Sequence, residues 1–273
     1  DGDSVKVVRV LAKNPAESAG ILAGDVISKV NGEDVSKENT SEISKKIRGD
    51  AGTTVKIGVV RGNEKKEFSV TRAKIENPSV ELTKKDGVAT LSIYRFDSET
   101  GVLAKKYAEE IKNEGISKVI LDLRGNGGGY VQAAKTVASL WLEKNALIVS
   151  EKTGSKTVEE IRATGDNPLK GIKTVILLDG SSASASEIVA GALKEHKAAQ
   201  IVGEKSYGKG SVQTTIDMPN GALLKVTIAK WFTPGGKNIS NNGISPDVKV
   251  SAPKGESYLL NDIQKNKALE ILK

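Results

Sequence analysis

The sequence predicts a mixed α/β (α+β) protein in which a small β-rich domain precedes a larger domain of the βαβ type. Its 273 residues are more than one compact domain usually needs and are enough for two. Residues 1–75 contain short apolar runs between tight turns, whereas residues 76–253 alternate apolar strands with helical stretches. Residues 254–273 are predicted to form a C-terminal tail with a closing helix.

The first domain is predicted from strand-like runs separated by turns such as Asn31-Gly32. The predicted strands are Val5–Leu11, Asp25–Asn31, Thr54–Val60 and Lys66–Arg72. The predicted helices are Pro15–Gly20 and Thr40–Arg48. In the second of these, Ile43 and Ile47 lie one turn apart and provide an apolar face.

The second domain is predicted to build a sheet with covering helices. Its predicted strands are Val88–Tyr94, Lys118–Leu123, Leu147–Ser150, Lys173–Leu178 and Ala199–Val202, and its helices lie near residues 99–114, 130–144 and 185–196. A hairpin then follows, formed by Ser211–Asp217 and Leu223–Phe232 around Pro219-Asn-Gly221. The apolar face of the tail helix consists of Leu259, Leu260, Ile263, Ala268 and Ile271.

Ser184 and Lys209 each follow a predicted strand and lie among small residues that leave their side chains accessible. Reactive groups of α/β proteins commonly lie at such strand ends. Lysine can act as the base that activates a serine hydroxyl when burial lowers the lysine pKa. With one histidine and no cysteine in the chain, a Ser-Lys dyad is the nucleophilic arrangement that the composition favours. Alternatively, Ser184 and its neighbours Ser182 and Ser186 serve only as N-cap and first-turn residues of the next helix.

Lys209 also ends the pattern Gly203-x4-Gly208-Lys209, which resembles a phosphate-binding P-loop. A P-loop continues with Ser or Thr and then a helix. Here Gly210 occupies the Ser/Thr position and a predicted strand follows, so nucleotide binding is not expected. The alternative to a catalytic Lys209 is a solvated surface lysine, the usual state of this residue type.

A glycine-rich stretch, Gly125-Asn-Gly-Gly-Gly129, follows the predicted strand that ends near Asp122. Consecutive glycines let the backbone approach a substrate and direct N–H groups towards it. The functional hypothesis is an oxyanion hole formed by the N–H of Gly127 or Gly128 together with that of Ala185. A dinucleotide loop would need a third glycine at the position of Tyr130, and a purely structural turn is the remaining alternative.

Four segments in order resemble one family, the C-terminal processing peptidases, which are PDZ-containing serine endopeptidases of the tail-specific type. They are VILDLRGNGGG (119–129), GSSASASEIVAGAL (180–193), IVGEKSYGKGSVQ (201–213) and FTPGGKNISNNGISPDV (232–248). The stretch from Asn14 to Gly32 likewise resembles the core of a PDZ domain. The resemblance extends over nearly the whole chain, and four motifs in register are far more specific than one glycine-rich loop.

The resemblance implies that Ser184 is the nucleophile, Lys209 the general base and Gln213 the residue that holds the lysine amine. It also implies that Glu187 and Ser206 are polar residues beside the dyad. The implied activity is cleavage of polypeptides near their C-termini through an acyl-enzyme. The alternative is a catalytically inactive relative that acts as a peptide-binding module, although such a protein would be expected to lose the serine, the lysine or the glycine loop.

The PDZ-like residues 1–75 are expected to capture or gate substrate tails, most readily apolar ones. Relatives carry a carboxylate-binding loop and a first strand before the segment that here begins at Asp1. We therefore expect this sequence to lack both, and to bind free C-termini weakly. The resemblance also implies an extracytoplasmic protein with a signal segment upstream of this sequence.

The composition restricts cofactors and partners. No Asp, Glu or His cluster has metal-ligand spacing, and the absence of cysteine excludes disulfides and zinc-thiolate sites, so neither metal nor cofactor is expected. The net charge of +7 is spread evenly, and aromatic residues make up only 4%, which argues against nucleic acid. We allow for association of this cationic surface with an anionic membrane or envelope, and for a homo-oligomer formed through parts of the protein outside this sequence.

Overall fold

The computed structural model describes residues 4–11, 14–218, 222–251 and 262–273. They fall into two compact units, the first ending at Pro78 and the second starting at Ser79. The predicted α/β class is confirmed. The turn at 219–221 and the predicted helix residues Leu259 and Leu260 lie outside the described residues. No helix in the described ranges is long and apolar enough to cross a bilayer.

The first unit is a four-stranded antiparallel sheet in the order β2-β1-β3-β4, with two helices. Its elements are α1 (Pro15–Ser18), β1 (Val26–Val30), β2 (Glu33–Asp34), α2 (Thr40–Ile47), β3 (Thr54–Arg61) and β4 (Glu64–Thr71). A separate apolar core, which includes Val30, Ile43 and Val59, holds the sheet against α2. This unit therefore has its own stabilising core.

The predicted strand Val5–Leu11 is wrong. In the structure this segment makes only an isolated bridge from Lys6 to Val26. The segment paired with it turns at Gly24, which has φ +97°, and the backbone bonds between the two segments end at Val7. The two-residue strand β2 was not predicted, because so short a segment carries no periodicity.

The second unit contains a six-stranded sheet in the order β14-β11-β10-β7-β6-β5, parallel except for β5. The elements that form and cover this sheet are β5 (Val80–Lys85), β6 (Val88–Ile93), α3 (Thr100–Asn113), β7 (Lys118–Asp122), α4 (Val131–Ser139), β10 (Lys173–Leu178), α5 (Ala185–Glu195), β11 (Gln200–Gly203), β14 (Val248–Lys249) and α6 (Ile263–Leu272).

Both faces of this sheet are buried, as expected for parallel strands. On one face Leu121 and Ile176 pack in the cluster that contains the apolar residues of α3, α4 and α5. On the other face Ile120 and Leu177 pack with Ala268 and Leu272 of α6. Alternate residues of one strand thus serve opposite cores, and α6 belongs to the second unit.

A second sheet in this unit has the order β12-β13-β8-β9 and is antiparallel. Its strands are β8 (Leu147–Thr153), β9 (Lys156–Arg162), β12 (Ser211–Asp217) and β13 (Leu223–Phe232). The strand predicted at Leu147–Ser150 therefore belongs to this sheet and not to the βαβ sheet. The strands β5, β9 and β14 were not predicted, because β5 and β9 are largely polar and exposed and β14 is too short.

The parallel strands β7, β10 and β11 place their carboxyl ends side by side. Asp122 at the end of β7 is paired with Leu177, and Leu178 at the end of β10 is paired with Gly203. Since ligands of open α/β sheets bind at the carboxyl edge, the loops that leave these three strands occupy the position expected for a functional site.

The strands β10 and β11 approach each other closely at Gly203, near that edge of the sheet. An added Cβ would clash with the carbonyl oxygen of Leu178, whereas at Gly154, also at positive φ, it would meet nothing within 4 Å. A positive φ costs a non-glycine residue about 1–2 kcal/mol. We expect Gly154→Ala to lower the free energy of unfolding by about 1 kcal/mol and Gly203→Ala by about 3 kcal/mol. Urea unfolding of both variants checks this, and equal losses would contradict the close approach.

Candidate active site

Ser184 lies at the turn between β10 and α5, where it is the N-cap of α5. Its backbone has φ 54° and ψ −113°, a conformation that non-glycine residues rarely adopt. Its side chain is half-buried, while Ala183 and Ala185 on either side are buried. A strained backbone at an accessible serine is a feature from which a functional role can be inferred.

The neighbouring serines are engaged elsewhere. The Ser182 hydroxyl donates to the carbonyl of Leu123 at 2.9 Å, and the Ser186 hydroxyl donates to the carbonyl of Asn126 at 2.9 Å. Both side chains are buried. They therefore bind this turn to the glycine loop and do not cap α5, which leaves Ser184 as the serine of this stretch that is both central and accessible.

The segment around Lys209 is held by glycines on both sides. Gly208 has φ +90°, and a Cβ there would lie 3.1 Å from the Asn241 backbone, whereas a Cβ at Gly210 would clash with the Ser240 nitrogen. The Lys209 side chain between them is exposed. No hydrogen bond joins its ammonium to the Ser184 hydroxyl among the bonds of the described residues.

The carboxylate of Glu187 connects the two segments. It is fully buried and accepts four hydrogen bonds. One oxygen, Oε2, receives the N–H of Ser184 at 2.8 Å and the N–H of Lys209 at 2.9 Å. The other, Oε1, receives the hydroxyl of Ser206 at 2.6 Å and the N–H of Gly208 at 2.7 Å. Because the backbone nitrogens of Ser184 and Lys209 both donate to Oε2, they lie close together.

Ser206 extends this contact to a third segment. Its hydroxyl also accepts the N–H of Ile244 at 2.6 Å, and its own N–H donates to the Ile244 carbonyl at 3.1 Å. Gly243 beside it could not carry a Cβ without approaching the Ser206 carbonyl oxygen to 2.5 Å. The segment that follows β13 therefore packs directly against the Lys209 loop.

The glycine loop lies against Ser184. A Cβ at Gly128 would come within 2.8 Å of the Ser184 Cβ and 3.0 Å of the Ala185 nitrogen. At Gly129 it would clash with the carbonyl oxygen of Phe96. Both glycines have positive φ, so these positions need glycine for conformation and for space.

Asn126 fixes the conformation of this loop. Its side chain is fully buried, donates to the carbonyl of Ile93 at 2.7 Å and accepts the N–H of Gly128 at 2.8 Å. The Gly128 N–H is therefore occupied. The N–H groups of Gly127 and Ala185 make no hydrogen bond to another described residue.

Gln213 lies on β12 and is exposed. Its side chain makes no hydrogen bond to Lys209 in the described part of the chain. The strand is irregular at this point, since the register between β12 and β13 shifts between Val212 and Gln213. Such bulges are common beside active sites, where they redirect a side chain.

The sequence analysis missed Asn126, Asp179 and Arg124. Asp179 receives the N–H of Gly125 at 3.0 Å and the N–H of Ser182 at 3.0 Å, and so joins the loops that follow β7 and β10. Their only signal in the sequence is that each is polar and follows a buried strand, which does not separate them from ordinary turn residues.

The described residues contain no cluster of three or more His, Asp or Glu side chains that could hold a metal ion. The groups that these loops offer for chemistry are the half-buried hydroxyl of Ser184, the exposed side chain of Lys209 and the N–H groups of Gly127 and Ala185.

The chain matches the models of two known families. Residues 87–250 match Peptidase family S41, and residues 1–71 match the PDZ domain. The chain belongs to peptidase family S41, with a PDZ domain before the peptidase region. The predicted resemblance to C-terminal processing peptidases is confirmed.

Curated relatives of this chain include staphylococcal proteins named "Probable CtpA-like serine protease". The protein of Staphylococcus haemolyticus (strain JCSC1435) is 38% identical over 255 residues, which cover 93% of this chain and 51% of the relative. That of Staphylococcus aureus (strain MRSA252) is 38% identical over 272 residues, 98% of this chain and 54% of the relative. The chain thus spans about half the length of the curated relatives it matches.

Solved structures of similar fold include the photosystem II D1 C-terminal processing protease. It matches with a TM-score of 0.64 and 28% identity, covering 100% of this chain and 75% of that one. Mature CPAF matches with a TM-score of 0.56 and 12% identity over 99% of this chain and 79% of that one, a likeness that concerns the fold alone.

Glu187→Gln should destabilise the protein. In Glu187→Gln one carboxylate oxygen becomes an NH₂ group facing two N–H or O–H donors, so at least two charge-assisted hydrogen bonds are lost. We expect the free energy of unfolding to fall by about 3 kcal/mol, and the amides of Ser184, Gly208 or Lys209 to exchange hydrogen faster.

The matched control is Glu160→Gln, because that carboxylate forms an exposed ion pair with Arg162 at 2.6 Å. A change within about 0.5 kcal/mol is expected there. Urea unfolding and amide exchange of both variants check the pair. Equal behaviour of the two variants would show that Glu187 does not hold the loops together.

Proposed function

We propose that this chain is a serine endopeptidase that uses Ser184 as nucleophile and Lys209 as general base. The observation that supports this most strongly is the shared contact of their backbones with Glu187 Oε2. It brings the two segments together at the carboxyl edge of the sheet, in a chain of a serine peptidase family. A polypeptide lying over the loops would cover both side chains and exclude water.

In the proposed reaction the Ser184 Oγ attacks the scissile carbonyl carbon while the neutral amine of Lys209 takes the hydroxyl proton. The C–N bond then breaks, the Lys209 ammonium returns the proton to the leaving amine, and an ester to Ser184 remains. Water attacks this ester with Lys209 again as base, which releases the acid and restores the serine. Gln213, exposed on β12, would hold the lysine amine by hydrogen bonding.

The oxyanion of each tetrahedral intermediate would be stabilised by the N–H groups of Gly127 and Ala185. Both lack a partner among the described residues, whereas the N–H of Gly128 is bound by Asn126. Of the two glycines that the sequence analysis left open, we therefore assign Gly127. The positive end of the α5 dipole lies at Ala185 and favours developing negative charge.

The proposed substrates are polypeptides cut near their C-termini, with the PDZ domain binding the tail. PDZ domains add an extended peptide as a strand and read its side chains in pockets. The resemblance to C-terminal processing peptidases supports this, and leads us to place the activity outside the cytoplasm. A net charge of +7 suits attraction to an anionic envelope surface.

The dyad is tested with single substitutions. Ser184→Ala should lower kcat on an unfolded protein substrate by roughly 10⁴-fold or more. Lys209→Arg should be nearly as damaging, because a guanidinium keeps the charge but cannot lose its proton in a protein. The matched controls are Ser181→Ala and Lys205→Arg, which change exposed residues of the same two loops.

Both controls should keep activity within about twofold of the parent chain. Substantial turnover in Lys209→Arg would overturn the general base, and turnover in Ser184→Ala would overturn the nucleophile. No turnover in the parent chain at all, with peptide binding retained, would favour the alternative of an inactive peptide-binding module.

Tail recognition is tested with two peptides that share one cleavage site and differ only in their last residues, apolar in one and acidic in the other. We expect a lower KM for the apolar tail with a similar kcat, because tail binding away from the scissile bond stabilises ground state and transition state equally. Equal KM values would contradict capture of apolar tails.

A further inference from the structure

The buried guanidinium of Arg124 lies directly before the glycine loop. Arg124 lies between β7 and Gly125, and its side chain is only 10% exposed. Asp122 binds it through both oxygens, at 2.9 Å to Nε and 2.6 Å to Nη2. The backbone N–H of Arg124 also donates to Asp122 Oδ1 at 3.1 Å, so side chain and main chain are fixed together.

The other side of this guanidinium is bound by the C-terminal helix. Asp262 accepts from Nη1 and Nη2 at 2.8 Å each, across 138 residues of sequence. Gln264 is buried, accepts from Nη1 at 3.1 Å, and donates to the Val250 carbonyl at 2.8 Å. Two carboxylates and one amide oxygen thus surround one charge, in the planar bidentate geometry that arginine favours.

Asp262 has a second role as the N-cap of α6, where its Oδ1 accepts the N–H of Lys265 at 3.0 Å. Burial opposes ionisation of this carboxyl, but the Arg124 guanidinium and the Lys265 N–H hold its pKa below the ordinary value. Its charge is therefore present throughout the pH range in which a peptidase with a lysine base would work.

Past Arg124 the loop is fixed by Asp179 at Gly125 and by the side chain of Asn126. Gly127, the next residue, makes no such contact with another described residue, and an added Cβ would meet nothing within 4 Å. The direction of the Gly127 N–H is therefore set by the residues before and after it. Arg124 and these two contacts therefore fix the loop together, and a shift of Arg124, which directly precedes Gly125, would strain them and displace this amide. An oxyanion donor is sensitive to small misplacement.

We propose that Asp262 is a positioning residue for the oxyanion hole. It acts through Arg124, so that the C-terminal helix α6 forms part of the catalytic scaffold of the peptidase. This proposal rests on the proposed function, since it assumes that the Gly127 N–H stabilises the oxyanion.

Two substitutions separate the ion pair from the helix cap. Asn and Ser are both good N-cap residues, so Asp262→Asn and Asp262→Ser keep the start of α6. Asparagine keeps one oxygen near Arg124 but no charge, and serine is too short to reach it. We expect a graded loss of kcat, severalfold for Asn and roughly 10- to 100-fold for Ser, with KM within twofold, because a misdirected oxyanion donor affects the transition state and not substrate binding.

The control is Glu270→Gln, which breaks the exposed pair with Lys267 on the same helix and should leave kcat unchanged. The concentration of active sites is titrated with a fluorophosphonate, and kcat is calculated per titrated site. All assays are run below the melting temperature of each variant. A merely structural Asp262 would lower the number of sites and the melting temperature but not kcat per site, and that result would overturn the proposal.

A second readout is binding of a peptide boronic acid, whose tetrahedral adduct carries an oxygen in the oxyanion hole. Asp262→Ser should weaken it by the same factor as kcat, while a matched peptide without the boronate binds unchanged. Equal weakening of both peptides would also overturn the proposal. Because all results are ratios to the parent chain, an inactive parent would contradict the proposed function and not the role of Asp262.

Discussion

The carboxylate of Glu187 joins the loop after β10 to the loop after β11, and the geometry of the candidate site depends on it. A buried charge is costly unless donors surround it, and this one receives four. It also lies in the first turn of α5, where the helix dipole favours a negative charge. Folding of the two loops and burial of this carboxylate are therefore coupled: each donor must be in place for the charge to be tolerated.

Close packing of backbone on backbone is the second constraint. Gly128 lies against Ser184, Gly129 against Phe96, and Gly210 against the chain at Ser240. These contacts leave no room for a Cβ, so the main chains of the loops approach one another without intervening side chains. Such packing directs the N–H groups at the edge of the sheet, where fixed dipoles contribute most to stabilising a developing charge. In this account the rigidity of the loops is what makes Gly127 and Ala185 effective donors.

Much of the fold could be predicted from the sequence, because buried parallel strands and amphipathic helices carry strong periodic signals. Edge strands such as β5 and β9 are polar and carry none. The positions of Ser184 and Lys209 could be predicted because small residues follow two apolar strands. The contacts that organise them could not, since the bond from Arg124 to Asp262 spans 138 residues and nothing local in either segment indicates it. The same holds for Asn126, whose amide appears in the sequence as one more turn residue.

The central claim is that Ser184 is the nucleophile and that Lys209 activates it, and the most direct measurement is covalent labelling. The chain is treated with a fluorophosphonate probe, digested, and the modified residue is located by mass spectrometry. The account predicts one adduct, on Ser184, that forms in the parent chain and is lost in Lys209→Arg. An adduct on another serine, or labelling of Ser184 that does not depend on Lys209, would contradict it.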